Sequence, residues 1–242
     1  MTLRDEIVGS CQACNGSGFI GYETCSCLTK FRTYNRLINS GFYRNTIDIV
    51  ANSDYDLPEV GQGYNSLRFF MENIDFVLSK GLGLYMYSKE RGRGKTTLAH
   101  YLVYKIAEHT RPLDKYIRDL DFGFDHIEDF CKNDNWKSRV YVLDDLGNEN
   151  RSASWKKEEF LSNLQKCLHY RRDRGLVTFI TSNYAPSNLS TLYEGVIDSL
   201  LEVNPSGIIS GTVFRQLEVV GGEDLRTVQE FSRWPDLEEE TE

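Results

Sequence analysis

The segment SKERGRGKTT has the residue types of a loop that binds phosphate. Gly92 and Gly94 tolerate the backbone angles at which successive N–H groups converge on an anion. Lys95 brings an ammonium group for the β- and γ-phosphates, and Thr96 follows with a hydroxyl for Mg²⁺. The usual pattern has another glycine five residues before Gly94, where this chain has Lys89. The segment departs from the pattern at that corner, so a basic surface turn is the alternative interpretation.

A strand and a helix must hold such a loop, and the flanking sequence predicts both. LGLYMYS before the loop indicates a strand, and KTTLAHYLVYKIAEH after it indicates a helix whose first N–H groups favour anions. We further predict helices over residues 64–81, 124–133 and 155–175, and strands over 114–120, 139–145 and 176–183. This alternation predicts an α/β fold, a parallel sheet with helices on both faces.

Polar side chains end two of the later strands. RVYVLDD ends in Asp144 and Asp145, and ligands bind at the carboxyl ends of strands in open α/β sheets. We expect Asp144 to hold Mg²⁺ through water and Asp145 to orient or deprotonate an attacking water. FITSN ends in Asn183, whose amide could position the same water. With the loop, these strand ends predict a nucleotide site, although ordinary strand-end turns are the alternative for each one alone.

Four of the six cysteines lie before residue 28 and form a second group that could do chemistry. They are Cys11, Cys14, Cys25 and Cys27. Two short-spaced pairs of thiolates can supply the ligands of a tetrahedral Zn²⁺. About thirty residues cannot build a core alone, so a metal would supply their folding energy. Zinc is the preferred interpretation, and an iron–sulfur cluster or reduced free thiols are the alternatives.

The composition limits the classes of partner. The 242 residues are 40% hydrophobic, enough for a packed core, and the net charge is −8, so any DNA contact needs a local basic patch or an assembly. Basic residues with aromatic neighbours in KCLHYRRDRG and KFRTYNR could touch phosphates or bases, although cations at a helix C-terminus that complement its dipole are the stronger interpretation. Arg171, Arg172 or Arg174 could instead face a neighbour's nucleotide. No stretch approaches the ~20 apolar residues that span a bilayer, and the N-terminus has no apolar signal-peptide core. We expect a cytoplasmic protein with no membrane contact.

Four segments together resemble the AAA+ helicase loaders of the DnaC/DnaI type, including phage-encoded members. They are GLYMYSKERGRGKTTLA, YVLDDLGNE, FITSN and GGEDLR, in the family's order over roughly residues 65–226. The cysteine-rich start resembles the zinc-bearing N-terminal region of the DnaI side of that family. The resemblance implies an AAA+ P-loop NTPase fold with a small N-terminal zinc-binding module. It also implies ATP, Mg²⁺ and Zn²⁺ as cofactors, and an ATPase that loads a DnaB-type replicative helicase onto single-stranded DNA, which it binds weakly.

The resemblance also implies roles for matching residues. Lys95 and Thr96 would be the Walker A pair, and Asp144 and Asp145 would be the Walker B pair. Thr96 and Asp144 would bind Mg²⁺, and Asn183 would be the first sensor. Asp145 stands where glutamate is usual in this class, which predicts slow hydrolysis that an assembly stimulates. The residues expected to bind the nucleotide are Gly92, Arg93, Gly94, Lys95, Thr96, Thr97 and Asp144.

Two arginines complete the implied site. GGEDLR places Arg226 as a second sensor on the γ-phosphate. Arg215 in GTVFRQL is the candidate for the arginine that a neighbouring subunit contributes, which implies self-association through AAA+ interfaces. The family usually has a Ser-Arg-hydrophobic run there, so FRQL departs from it, and an exposed helix charge is the alternative.

We expect four segments along the chain. They are a four-cysteine zinc-binding module at 1–30, a connector at 31–62, the AAA+ ATPase domain at 63–230 and an acidic tail at 231–242. Two other functions remain open: a transposition ATPase of the related IstB kind, and a zinc adaptor on a nucleotide-binding scaffold that hydrolyses little. The zinc-like N-terminus favours the loader, because the transposition relatives generally lack it.

Overall fold

The structure is a computed structural model that describes residues 2–52, 67, 70–110, 120–149, 157–193 and, for the backbone, 214–218. The predicted second sensor Arg226, the predicted acidic tail and all but the last residue of the predicted strand at 114–120 lie outside these residues. Among the described helices, none is long and apolar enough to cross a membrane.

The N-terminal part combines short turns with two helices. A π-helical turn, Asp5–Gly9, and a 3₁₀ turn, Gln12–Cys14, precede strands β1 (Phe19–Ile20) and β2 (Glu23–Thr24), which pair antiparallel. Helices α1 (Ser26–Asn39) and α2 (Arg44–Asn52) follow.

Strands and helices alternate in the rest of the described chain, as predicted, except that only 3₁₀ turns separate β4 from β5. The elements are α3 (Ile74–Lys80), β3 (Gly83–Tyr87), α4 (Lys95–His109), β4 (Phe122–His126), β5 (Val140–Leu146), α5 (Lys157–Asp173), β6 (Val177–Ser182), α6 (Pro186–Leu192) and β7 (Phe214–Glu218), with 3₁₀ turns at Ile127–Asp129 and Asn135–Lys137.

The sheet is parallel and its strand order is β4-β5-β6-β3-β7. Strand β6 lies between β3, which leads into the phosphate-type loop, and β5, which ends in the two aspartates. Because all the strands point the same way, the carboxyl ends of β3, β5 and β6 lie at one edge of the sheet. The predicted parallel sheet is therefore confirmed.

Helices cover both faces of the sheet, because successive side chains of a strand point to opposite faces. Val140 and Val142 of β5 belong to the core cluster that contains the buried side chains of α4. Tyr141 and Leu143 belong to a second cluster with Leu164 and other residues of α5. The predicted layers of helix, sheet and helix are present.

The segment predicted as a connector packs into the main core through its helices. Leu37 of α1 and Ile47 of α2 are fully buried in the same cluster as Leu98 and Leu102 of α4. Tyr34 packs edge-on against Tyr104 of α4 as well. Helices α1 and α2 are thus held against the helix that follows the loop, while the domain boundaries at 30 and 62 stay a prediction.

The helix predicted over residues 124–133 is wrong. Phe122 and Phe124 alternate with polar neighbours and enter the core as part of β4. Asp125 points to the other face, where its carboxylate accepts a hydrogen bond from Tyr141 Oη at 2.9 Å. The period of two, which begins before Phe124, fits a strand, and the acidic residues after it form a 3₁₀ turn.

Gly81 and Gly175 meet where α3 and α5 end, and both have positive φ, 62° and 58°. A Cβ on Gly81 would lie 2.2 Å from the carbonyl carbon of Gly175, whereas a Cβ on Gly175 would meet nothing within 4 Å. The two positions therefore share a left-handed backbone and differ only in the space around the added methyl group.

We predict that Gly81→Ala lowers the free energy of unfolding by about 3 kcal/mol or more, because a backbone clash adds to the left-handed strain. Gly175→Ala is the matched control and should cost about 1–2 kcal/mol, from the backbone strain alone. Urea denaturation of both variants measures the difference. Equal losses would contradict the packing of the two turns.

Candidate functional site

The phosphate-type loop joins β3 to α4 and is built around two glycines with positive φ. Gly92 has φ 78° and Gly94 has φ 77°, values that L side chains rarely adopt. Lys89, which replaces the usual first glycine, is exposed in the bend after β3 and does not line the cleft. The loop therefore tolerates the changed corner, because its required left-handed positions fall on the two remaining glycines.

The lysine of the loop reaches across to the next strand. Lys95 opens α4 and is only 8% exposed. Its Nζ donates to the carbonyl oxygen of Glu90 at 3.3 Å and to Asn183 Oδ1 at 2.9 Å. The arrangement holds a nearly buried ammonium between the loop and the end of β6, the position required for an anion bound at the start of a helix.

Asp144 joins the loop helix to the sheet. Its Oδ1 accepts hydrogen bonds from Thr96 Oγ1 at 2.8 Å and from Thr181 Oγ1 at 2.6 Å. Burial raises the pKa of Asp144, and the two hydroxyl donors oppose that rise. A carboxylate beside a threonine hydroxyl is a donor set that fits the hard, oxygen-seeking Mg²⁺. Thr96 and Asp144 are the residues that would hold the ion.

Asp145 is held in an unusual backbone conformation by its neighbours. Its φ is 65°, and its N–H donates to Thr181 Oγ1 at 2.9 Å. Its Oδ1 accepts from Asn148 Nδ2 at 2.7 Å and from Asn183 Nδ2 at 3.1 Å, and His126 Nε2 lies 3.8 Å from Oδ2. Left-handed backbone at a non-glycine residue persists only where the surroundings impose it, and such strain is concentrated at functional sites.

One cleft of about 630 Å³ contains all of these groups. It is lined by Tyr43, Thr46, Arg91, Gly92, Arg93, Gly94, Lys95, Thr96, Thr97, His126, Glu128, Asp144, Asp145, Asn148, Thr181 and Asn183. Every residue predicted from the loop and from the two strand ends is present. The cleft is large enough for a nucleotide, since ligand pockets span about 300–1,000 Å³.

Several lining residues were not predicted from the sequence. Thr181 and Asn148 lie inside the FITSN and DDLGN segments, so their closeness to the predicted Asn183 and Asp145 is the signal that could have indicated them. His126 was assigned to a helix, which hid its position at the end of β4. Tyr43 and Thr46 lie more than forty residues before Gly92 in a segment without a motif, so no local signal could have found them.

The arginines predicted for the site are placed only in part. Arg215 lies in β7, where the backbone register pairs it with Leu84 of β3, so its backbone is a strand and not a helix. Its side chain is outside the described residues, as is the whole of Arg226. The roles of both arginines stay predictions.

Arg171 is a structural residue and not part of a basic patch. It is 1% exposed, and its guanidinium donates to Thr178 Oγ1 and to the carbonyl oxygens of Trp136, Ser138 and Val177 at 2.5–2.7 Å. All its donor groups are directed inward, so Arg171 is not available to DNA phosphates or to a neighbour's nucleotide.

The four N-terminal cysteines converge on one point. Their sulfur atoms all lie within 4.8 Å of one another, with Cys11 Sγ to Cys25 Sγ at 3.8 Å and Cys14 Sγ to Cys27 Sγ at 3.5 Å. Sulfurs at about 2.3 Å from a tetrahedral zinc ion are roughly 3.8 Å apart. The cluster therefore has the dimensions of a zinc site.

The environment of Cys14 favours a thiolate, which is the form that binds metal. Burial raises the pKa of Cys14, but hydrogen bonds from the Gly18 N–H at 3.2 Å and from the neighbouring thiols outweigh it and lower this pKa to about 6. A cysteine that is ionised near neutral pH, among three further thiols, is the donor set that Zn²⁺ prefers.

We predict that the protein carries about one zinc ion per chain and that Cys14→Ser abolishes binding, because a tetrahedral structural site needs all its ligands. Cys131→Ser is the matched control and should retain the metal, since Cys131 lies in the turn after the Ile127–Asp129 3₁₀ turn, outside the cluster. Elemental analysis of the purified proteins measures this. Iron in the wild type would contradict zinc, and so would reaction of all four N-terminal thiols with a thiol reagent in the absence of a chelator.

The described fold matches a crystal structure of DnaI. The two share 18% sequence identity and a TM-score of 0.50, over 75% of this chain and 93% of that chain. A candidate primosome component from Streptococcus pyogenes serotype M3 has 20% identity and a TM-score of 0.42, over 66% of this chain and 79% of that chain. The DnaC helicase loader has 24% identity and a TM-score of 0.45, over 68% and 94%.

Neither a protein-family model nor a curated protein matches the chain. The match to DnaI confirms the predicted parallel sheet flanked by helices, while membership of the AAA+ ATPases stays a prediction.

Proposed function

We propose that the protein is an ATP-dependent loader that places a DnaB-type replicative helicase on single-stranded DNA in the cytoplasm. The observation that supports this most is the single network at the sheet edge, in which Asn183 bonds both Lys95 and Asp145 while Thr96 bonds Asp144. The order of the motifs resembles the DnaC/DnaI loaders, and the fold matches DnaI.

The loop and the first turn of α4 would bind the triphosphate. Lys95 would exchange its contacts with Glu90 and Asn183 for phosphate oxygens, because an ammonium gains more from an anion than from neutral acceptors. Thr96 and Asp144 would hold Mg²⁺. The bound ion would neutralise charge on the β- and γ-phosphates.

Asp145 and Asn183 would position the attacking water. The Asp145 carboxylate is already oriented by two amide donors, from Asn148 and Asn183, so little rearrangement precedes the reaction. Water would attack the γ-phosphorus and lose its proton towards Asp145, and the bond from that phosphorus to the bridging oxygen would break to release ADP. The aspartate side chain is one methylene shorter than glutamate, which favours slow hydrolysis.

An assembly would complete the site. Arg215 would reach a neighbour's nucleotide and Arg226 would contact the γ-phosphate of its own, in line with the family resemblance. Self-association would then couple hydrolysis to the helicase and to DNA. With a net charge of −8, binding to single-stranded DNA should be weak and sensitive to salt.

The N-terminal zinc module would bind the helicase, with the α1–α2 segment. Phe19 and Ile20 form the short strand β1 of this module and are 47% and 54% exposed. Exposed apolar side chains on a metal-stabilised hairpin are suited to a protein partner, because the hairpin's rigidity lowers the entropy cost of binding.

We predict that Lys95→Ala weakens ATP binding at least tenfold, a loss of about 1.4 kcal/mol or more in binding free energy, and abolishes turnover, because it removes the phosphate-binding cation. Lys105→Ala on the same helix is the matched control, since Lys105 pairs with Glu108 away from the cleft. Calorimetric binding and phosphate release, with and without single-stranded DNA, measure this. A wild type that binds ATP without turnover under any condition would instead indicate the adaptor.

We predict that the wild-type protein co-purifies with the host replicative helicase when ATP and Mg²⁺ are present. A variant with Phe19→Ser and Ile20→Ser should lose this association while it keeps zinc and ATP binding, because only the exposed surface has changed. Retention of a transposase in place of the helicase would contradict the loader and favour the IstB-like alternative.

A further inference from the structure

Tyr43 belongs to none of the motifs, yet it lines the candidate nucleotide cleft. It stands between α1 and α2, immediately before Arg44 begins the second helix. It is 46% exposed and shares the cleft with Thr96 and Asp144. A residue from the N-terminal part of the chain thus lines the same cleft as the hydroxyl and the carboxylate that would hold Mg²⁺.

A buried histidine ties Tyr43 to the first turn of α4. The Tyr43 N–H donates to His100 Nε2 at 3.2 Å, so the proton of the neutral ring is on Nδ1. That Nδ1–H donates to the carbonyl oxygen of Thr96 at 2.8 Å. Burial lowers the pKa of His100 to about 4, which keeps the ring neutral at physiological pH.

Aromatic packing fixes the direction of the Tyr43 ring. It is stacked on the His100 ring with centroids 5.7 Å apart and an interplanar angle of 15°, and it meets Phe124 of β4 edge-on at 5.0 Å. The side chain is therefore held against His100 of α4 and Phe124 of β4, and its position depends on the same helix as Thr96.

The phenol of Tyr43 is a hydrogen-bond donor in the cleft that Asp144 and Asp145 also line. Burial raises its pKa, and the negative charges of Asp144 and Asp129 raise it further. The hydroxyl therefore stays protonated, and a protonated hydroxyl in the cleft that contains the phosphate-type loop can donate to a phosphate oxygen or to a water that a metal ion orders.

We propose that Tyr43 is a further nucleotide-binding residue, whose hydroxyl donates a hydrogen bond to the magnesium-bound triphosphate end of ATP, at the terminal phosphate or its ordered water. The inference rests on the proposed function, because it requires a nucleotide in this cleft. It follows that the α1–α2 corner responds to the terminal phosphate. Helix α1 would carry that response towards Cys25 and Cys27 at its other end.

The test compares Tyr43→Phe with the wild type in binding a fluorescent non-hydrolysable ATP analogue and fluorescent ADP, each with Mg²⁺. We expect Tyr43→Phe to weaken binding of the ATP analogue about tenfold and that of ADP less than about twofold, because ADP lacks the γ-phosphate that would accept the hydrogen bond or order the water. Tyr170→Phe on α5 is the matched loss of one hydroxyl away from the cleft, and should bind both nucleotides as the wild type does.

A second measurement uses the unaltered chain. Hydrogen exchange of the backbone amides at the α1–α2 corner should slow with the ATP analogue and not with ADP, and Tyr43→Phe should lose the difference. Equal exchange with both nucleotides, or analogue binding by Tyr43→Phe as tight as the wild type, overturns the proposal for Tyr43 alone. A wild type that binds no nucleotide overturns the proposed function and this inference together.

Discussion

The two hydrogen bonds that Asp144 accepts connect the parts of the molecule on which the candidate site depends. Thr96 belongs to the helix after the loop, and Thr181 belongs to the neighbouring strand β6. A buried carboxylate is costly unless its oxygens accept hydrogen bonds. Separation of the loop helix or of β6 from β5 would break one of these bonds, so the bonds hold the three elements together. The positions of Lys95 and Asn183 follow from that arrangement, because Lys95 is next to Thr96 and Asn183 comes directly after β6.

The backbone conformation of the phosphate-type loop explains why the loop accommodates Lys89 in place of the usual first glycine. Only the positions that need left-handed backbone have to be glycine, and these are Gly92 and Gly94. Lys89 is in solvent, where its side chain meets no steric limit. The usual pattern of the loop thus asks for a glycine at position 89 that the backbone conformation of this loop does not require.

Much of the candidate site was predictable, because its polar residues follow strands with strong apolar patterns. LGLYMYS, RVYVLDD and LVTFITSN are dense apolar runs, and their ends identify Lys95, Asp144 and Asn183. The β4 strand could not be predicted, because FGFDH is short and the acidic residues after it are typical of a helix. Burial of Phe122 and Phe124 on one face in the core favours the strand.

The contribution of the N-terminal segment could not be predicted, since it depends on long-range contacts. Its own sequence indicates an amphipathic helix but not which surface receives it. The packing of Leu37 and Ile47 against α4, and the bond from Tyr43 to His100, appear only in the folded chain. The convergence of the four N-terminal cysteines, in contrast, was predictable, because two short-spaced pairs of cysteines can meet around one tetrahedral metal ion.

The most direct test of the account is a crystal structure with Mg²⁺ and a non-hydrolysable ATP analogue. We expect Lys95 Nζ to leave Asn183 Oδ1, from which it is now 2.9 Å away, and to bind the terminal phosphates, with the ion between Thr96 and Asp144. An analogue bound elsewhere, with Lys95 still on Asn183, would contradict the claim that this sheet edge is a nucleotide site.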